Sequence, residues 1–386
     1  MSDYLPDEVV LEILHRLPAK SLIRFRCVSK SWNSLITSPA FITSHLTQSL
    51  SHHSNSNTKI VRYCTTYPNI EHYKLFLDEN DSFDQTQQFY FPLTSRLYQH
   101  FMLIGSVNGL FSLHEQERFI LWNPSIKKSI TLPKPRIAVK THGRVTCRIA
   151  FGFDPRTNDY KTVRIAFQFE EKKPPLVEVY SLNEGSWRIT SAVASLTKRI
   201  SFCDWGRPAA SLNGAVHFAA IDMDDANGPF VLSFDLGDEV FRMISVPNGI
   251  FRDDVQTSVH GGLLSLLCNH NNWFRTNKSC SIWVMKEYGV VDSWTKLFTV
   301  DLNGEIRRVL GLRKSGHMLV EVNVANQRHD WEVSSYDPES QQVENFRICG
   351  RAYDFHVDNY MESLVMLDKP NDAVSRRGVS RKRKCR

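Results

Sequence analysis

Ile120-Leu121-Trp122-Asn123-Pro124 carries the pattern that decides how most of this chain folds. A short apolar run with an aromatic residue in its middle ends in a polar turn, and a second run follows with a large apolar anchor, Ile130. The arrangement returns at Glu178-Val179-Tyr180-Ser181-Leu182 with Trp187, and at Leu232-Ser233-Phe234-Asp235-Leu236 with Phe241. It returns again at Ser281-Ile282-Trp283-Val284-Met285 with Trp294, and at Ser334-Ser335-Tyr336-Asp337-Pro338 with Phe346. Lys74-Leu75-Phe76-Leu77-Asp78 is a weaker, earlier copy. Asn108-Gly109, Asn213-Gly214, Gly261-Gly262 and Gly316 mark turns ahead of several copies, and Asp154-Pro155 and Asn158-Asp159 have the chemistry to reverse the chain between strands. A unit of roughly fifty residues built from several short strands is the signature of a propeller blade. Six copies predict a mainly β fold, a β-propeller of about six blades over residues 59–368. Strands within Ala352–Leu367 would complete the blade begun at Lys59–Phe76 and close the ring. A β-sandwich or two stacked sheets is the alternative, and the unequal intervals between copies keep it open.

Ahead of this region the period is helical, which predicts a small N-terminal α module of three to four helices in residues 1–46. Val9, Val10, Ile13, Leu14 and Leu17 recur at helical spacing behind Leu5-Pro6-Asp7-Glu8. Pro6 suits a first helical position, and Asp7 and Glu8 favour the positive end of the helix dipole. Pro18 stops this helix. A second segment carries Leu22, Phe25, Arg26 and Val28, and Ser29 is placed to cap a third with Trp32, Leu35 and Ile36. Ser38-Pro39 opens a fourth with Phe41, Ile42, His45 and Leu46. A module of roughly forty residues cannot bury so much apolar side chain within itself. The surplus must meet either the rest of the chain or a separate partner. Residues 47–58 are polar and low in complexity and read as a linker; His52-His53 has no metal-ligand partner at suitable spacing.

Composition removes several classes of function. No apolar run is long enough to span a bilayer, and the N-terminal residues lack the pattern of a signal peptide. Eight scattered cysteines without a C-x-x-C pair read as reduced thiols of an intracellular protein. The net charge is +6, but Arg376, Arg377, Arg381, Lys382, Arg383, Lys384 and Arg386 lie in the last dozen residues; without those seven the rest of the chain stands at −1. A nucleic-acid footprint on the folded body is therefore not expected. The tail, residues 369–386, reads as disordered. Its Arg381-Lys382-Arg383-Lys384 resembles a monopartite nuclear-localisation signal, which predicts residence in cytoplasm and nucleus, against the plainer reading of a solvated basic end.

The N-terminal string resembles an F-box over nearly the whole motif: Leu5, Pro6, Val9, Ile13, Leu14, Leu17, Pro18, Leu22, Phe25, Arg26, Val28, Trp32, Leu35 and Ile36 stand at its positions. That resemblance implies that these residues bind a Skp1-type adaptor and, through it, cullin and RING subunits of a ubiquitin ligase. Gly152-Phe153-Asp154-Pro155, Asn158-Asp159-Tyr160-Lys161-Thr162-Val163-Arg164, Leu121-Trp122-Asn123-Pro124 and Trp283-Val284-Met285-Lys286-Glu287-Tyr288-Gly289 with Ser293-Trp294-Thr295-Lys296 resemble the F-box-associated, kelch-like domain of plant F-box proteins. Members of that type include regulators of immune-receptor abundance, so the resemblance implies a protein target, a nucleotide-binding leucine-rich-repeat immune receptor by analogy, bound for ubiquitination and degradation. Trp294 itself reads as a core or inter-blade anchor.

Enzyme templates fail. His114-Glu115-Gln116-Glu117-Arg118 has Arg118 where a zinc-protease helix needs its second His, and Gly311-Leu312-Arg313-Lys314-Ser315-Gly316-His317 has His317 where a phosphate-binding loop needs Lys. Asp222, Asp224 and Asp225 lack the remaining ligands of a calcium loop. No cofactor or metal is expected. Two readings remain: a non-catalytic recognition subunit, and a propeller enzyme or small-ligand binder whose central channel would need convergent carboxylates or histidines.

Overall fold

A computed structural model describes residues 6–53, 58–65, 70–79, 82–95, 100–168, 174–192, 200–203, 206–224, 228–250, 255–270, 278–302, 305–324 and 330–370. Four helices come first: α1 (Asp7–His15), α2 (Ala19–Phe25), α3 (Lys30–Ile36) and α4 (Pro39–His53). Pro6 is not the first helical residue but the cap before it, with ψ 144°, and its carbonyl accepts from the amides of Val9 and Val10. Pro18 plays the same part for α2. Ser29 caps α3 as its position suggests, its hydroxyl accepting from the Trp32 amide at 3.1 Å. The span 47–58 read as a linker is helical through His53. Phe41, Ile42 and Leu46 are buried and carry α4 well past the bundle, and the hydroxyls of Thr47 and Ser51 bond back to the carbonyls of Thr43 and Gln48.

Six blades follow, each an antiparallel sheet, five of four strands and one of five. The second blade comprises Met102–Val107, Leu110–Glu115, Arg118–Asn123 and Lys128–Thr131; the third Val145–Asp154, Asp159–Gln168, Leu176–Ser181 and Ser186–Ile189. In the fourth, Ile200–Phe202 and Ala210–Leu212 share the edge of Ala215–Asp222, followed by Pro229–Asp235 and Phe241–Ser245. The fifth is Val255–His260, Leu263–His270, Ser279–Met285 and Trp294–Asp301, and the sixth Ile306–Leu312, Met318–Asn323, Asp330–Tyr336 and Val343–Arg351. The first blade takes Thr58–Cys64, Glu71–Asp78 and Phe83–Phe89 from one end of the chain and His356–Asn359 from the other. Val61 pairs with Val357 and Arg62 with His356, so the ring closes where the sequence places it.

Every mid-strand aromatic of the repeat lies on the third strand of its blade, opposite the anchor strand: Tyr180 faces Trp187 and Phe234 faces Phe241 in register. The period-2 alternation of a strand explains why these runs are apolar throughout. Phe119 and Leu121 point into the wedge between the second and third blades, while Ile120 and Trp122 point into the wedge between the first and second. The core is thus a ring of wedges between neighbouring sheets. Neighbouring blades approach closely here: a Cβ on Gly152 would lie 2.7 Å from Leu236 and 2.9 Å from Val216 of the next blade, so glycine permits that approach.

Polar groups also join the wedges. Trp187 Nε1–H donates to Pro133 O at 2.8 Å and Trp294 Nε1–H to Ser245 O at 3.0 Å, each tying an outer strand to the preceding blade. Buried pairs Arg62–Glu71, Arg164–Glu178 and Arg308–Glu321 repeat a second device. In each, the guanidinium also donates to a carbonyl of an inter-blade connection, respectively Phe101, Ile137 and Phe355. His217 is wholly buried, donates through Nδ1 to Ala210 O and accepts from the Tyr288 hydroxyl of the next blade at 2.7 Å. Burial lowers its pKa to about 4, which keeps the ring neutral.

Candidate adaptor interface and target face

The helical module resolves its apolar surplus in two directions. Leu14, Leu22 and Ile36 are fully buried, together with Ala19, Phe41 and Ile42. These three expected adaptor contacts are therefore the module's own core. The reason is the helical period: Leu14 lies about 100° around α1 from Ile13 and faces inward. Part of that core belongs to the propeller, since Leu364 completes it and Ile126 and Leu367 pack on it. Leu46 enters the wedge between the second and third blades, beside Met361 and Val365. Asn158 Nδ2–H donates to Thr43 Oγ1 at 3.0 Å.

What remains outside is apolar surface on α1 and in the turn after α2. Val9 and Ile13, one helical turn apart on α1, are 43% and 46% exposed, and Val28 is 62% exposed. Pro6 and Pro18 are exposed as well. Leu17, Phe25, Arg26, Trp32 and Leu35 are half-buried. Phe25 and Trp32 meet edge to face at 5.7 Å, and Arg26 Nε–H is held by Asn33 Oδ1 at 2.9 Å. Leu5 lies outside the described residues, as do Arg381, Lys382, Arg383 and Lys384. A cleft of about 780 Å³ separates the module from the first blade, with His15, Arg16, His45 and Glu362 on its walls. His45 donates to Leu17 O at 2.9 Å, and burial lowers its pKa.

The module sits on one face of the disc, where hairpins such as 124–127 and 155–158 join strands one to two and three to four. The opposite face carries the connection 132–144 between the second and third blades, whose His142 O accepts from Gln168 at the far end of the strand that begins beside Asn158. This connection points away from the helices. Loops on a rigid scaffold are where recognition residues concentrate.

The enzyme templates dissolve into structure. His114 and Arg118 lie on adjacent strands of a hairpin rather than on a helix. Gly311 lies within the strand Ile306–Leu312, and the Arg313 amide donates to His317 O across a turn. Asp222 accepts from the Asp224 amide in another turn, and Asp225 lies outside the described residues. Among the described residues no group of His, Cys, Asp or Glu could hold a metal ion, and no helix is long and apolar enough to cross a membrane.

Residues 3–44 match the F-box domain, and residues 49–369 match the F-box associated beta propeller domain. The chain belongs to the family of F-box proteins with that propeller. Among its curated relatives is "F-box protein CPR1" of Arabidopsis thaliana, 26% identical over 384 residues, covering 94% of this chain and 89% of the relative. "F-box/kelch-repeat protein At3g23880" of the same organism is 26% identical over 86% of this chain and 91% of its own length. "Putative F-box protein At3g10240" is 31% identical over 70% of each. An oligogalacturonate lyase from Vibrio parahaemolyticus aligns at TM-score 0.38 and 7% identity over 76% of this chain and 80% of that one, too distant to speak to function. An F-box joined to a propeller supports a substrate-recognition role in an SCF-type ubiquitin ligase, and the family points to an adaptor without catalysis of its own.

Proposed function

We propose that this protein is the substrate-recognition subunit of a Skp1–cullin–F-box ligase, docking a Skp1-like adaptor on Val9, Ile13, Val28 and their half-buried neighbours. The observation that carries the proposal is the outward apolar face of a module whose core is already complete. Surface of that kind, on helices otherwise packed and seated, calls for a partner. A protein target binds the opposite face of the propeller, and the ligase assembles on the helical side. The protein's contribution is proximity: it raises the effective concentration of target lysines near the conjugating enzyme, which supplies the chemistry. The target class carried by the family resemblance is a nucleotide-binding leucine-rich-repeat receptor in plant defence. The sites of action are cytoplasm and nucleus, with Arg381–Lys384 as the import signal.

Burial of one Val or Ile side chain contributes about 1.5–3 kcal/mol. Val9→Asp with Ile13→Asp should therefore weaken capture of a Skp1-type adaptor by about 100-fold or more. Both sites are exposed, so the thermal transition should stay unchanged. Undiminished adaptor capture by the double variant would remove the proposal. Leu5→Ala with Pro6→Ala is the corresponding test at the start of α1.

A further inference from the structure

We infer that the connection between the second and third blades, residues 132–144, is a preformed docking site for an acidic segment of the target protein; this deepens the recognition role proposed above and rests on it. From Asn123 to Phe153 the chain contains no Asp or Glu, although the folded body as a whole is nearly neutral. Within this stretch Lys134, Arg136, Lys140 and Arg144 are exposed, and Val139 among them is 57% exposed. None of the four forms an ion pair among the described residues, in a propeller whose arginines at 62, 164, 308 and 313 are each paired with a carboxylate.

The connection is also fixed in place. Ile137 is fully buried, and the amides of Arg136 and Ile137 both donate to Glu178 Oε2, at 2.8 and 3.2 Å. Arg164 holds Ile137 O, Trp187 holds Pro133 O, and Gln168 Nε2–H donates to His142 O at 3.2 Å. The cations therefore hang from a clamped backbone, which lowers the ordering cost of binding. Topology sets their layout. The chain leaves the outermost strand of one blade at Thr131 and enters the innermost strand of the next at Val145. The four charges are strung along a radius of the disc, on the face remote from the adaptor-docking helices. A line of four cations without an ion pair among the described residues, with the exposed Val139 in the same stretch, fits an extended run of Asp and Glu bearing an apolar residue.

The test uses the purified full chain and fluorescein-labelled twelve-residue peptides, one of alternating Asp and Glu around a central Leu, the other with Asn and Gln in their places. Fluorescence anisotropy should show the acidic peptide bound at least tenfold tighter, with an affinity that falls as salt rises. Lys134→Glu, Arg136→Glu, Lys140→Glu and Arg144→Glu combined should abolish that preference. Lys286→Glu, Lys296→Glu and Arg347→Glu combined, on other blades, should retain it. Val139→Asp should weaken binding on its own. Equal binding of the two peptides, or an unchanged preference in the charge-reversed loop, would overturn the inference. So would binding of a DNA duplex or heparin that competes with the peptide at equal affinity, since it would make the loop a general polyanion site. Adaptor capture by the charge-reversed chain separates this inference from the broader one: intact capture with lost peptide binding supports both, whereas intact capture with unchanged peptide binding sinks the loop assignment alone.

Discussion

Gly109 shows how much one residue can decide. Asn108 and Gly109 both have positive φ, 51° and 74°, in the tight turn between the first two strands of the second blade. Two such residues in a row are what a type I′ hairpin requires. A Cβ on Gly109 would lie 2.2 Å from Met361 O, in the segment that seats the helical module. Gly185 also has positive φ, 66°, but nothing lies within 4 Å of its Cβ position. Gly185→Ala should cost about 1–2 kcal/mol, the conformational penalty alone. Gly109→Ala should cost about 3 kcal/mol or more, because backbone must also move. Urea-denaturation midpoints of the two variants would separate the terms; equal losses would show that the carbonyl yields freely. The turn at Asn108-Gly109 was legible from sequence. The crowding by Met361 was not, since those residues lie about 250 positions apart.

At the scale of elements, strands and connections depend on each other through buried charge. Glu178 pairs with Arg164 and also accepts the amides of Arg136 and Ile137, so one carboxylate anchors a strand pair and a loop. Glu178→Ala would leave a guanidinium buried without its counter-charge, and should lower stability by about 3–5 kcal/mol. Replacing both partners, Arg164→Met with Glu178→Leu, should recover most of that loss, because no isolated charge remains. Thermal unfolding of the single and double variants checks the sign; a double variant no more stable than Glu178→Ala would mean that the loop amides dominate. Sequence reading found the apolar anchors of these wedges, Trp187 and Trp294, through their spacing. It missed the Arg–Glu pairs, because Arg164 and Glu178 sit on strands where a charge normally signals solvent. It also read the polar residues after Leu46 as a linker, whereas α4 extends through them, propagated from its buried first turns.

Over the whole molecule, ring closure couples the two ends of the propeller. His356–Asn359 provides the innermost strand of a blade whose other strands begin at Thr58, and the segment after it carries Leu364 into the helical core. Closure removes a free sheet edge and holds the module on the disc. Asp358→Pro would delete a donor from the ladder that closes the ring, since Asp358 pairs with Ile60 two residues before the Tyr360 amide that donates to Thr58 O, costing about 3 kcal/mol or more. We expect a lower unfolding midpoint and faster hydrogen exchange in Thr58–Cys64, its pairing partner. Exchange that accelerates only within His356–Asn359 would show the first blade to be stable without closure. The sequence by itself determined the strand runs, the turns, the repeat of about fifty residues and the helical period of the module, because each depends on neighbours a few positions apart. Tertiary structure alone decided which apolar residues of the module face outward. Leu14 and Ile13 are adjacent and equally apolar, and only packing against Phe41 and the returning Leu364 buries the first while leaving the second for a partner.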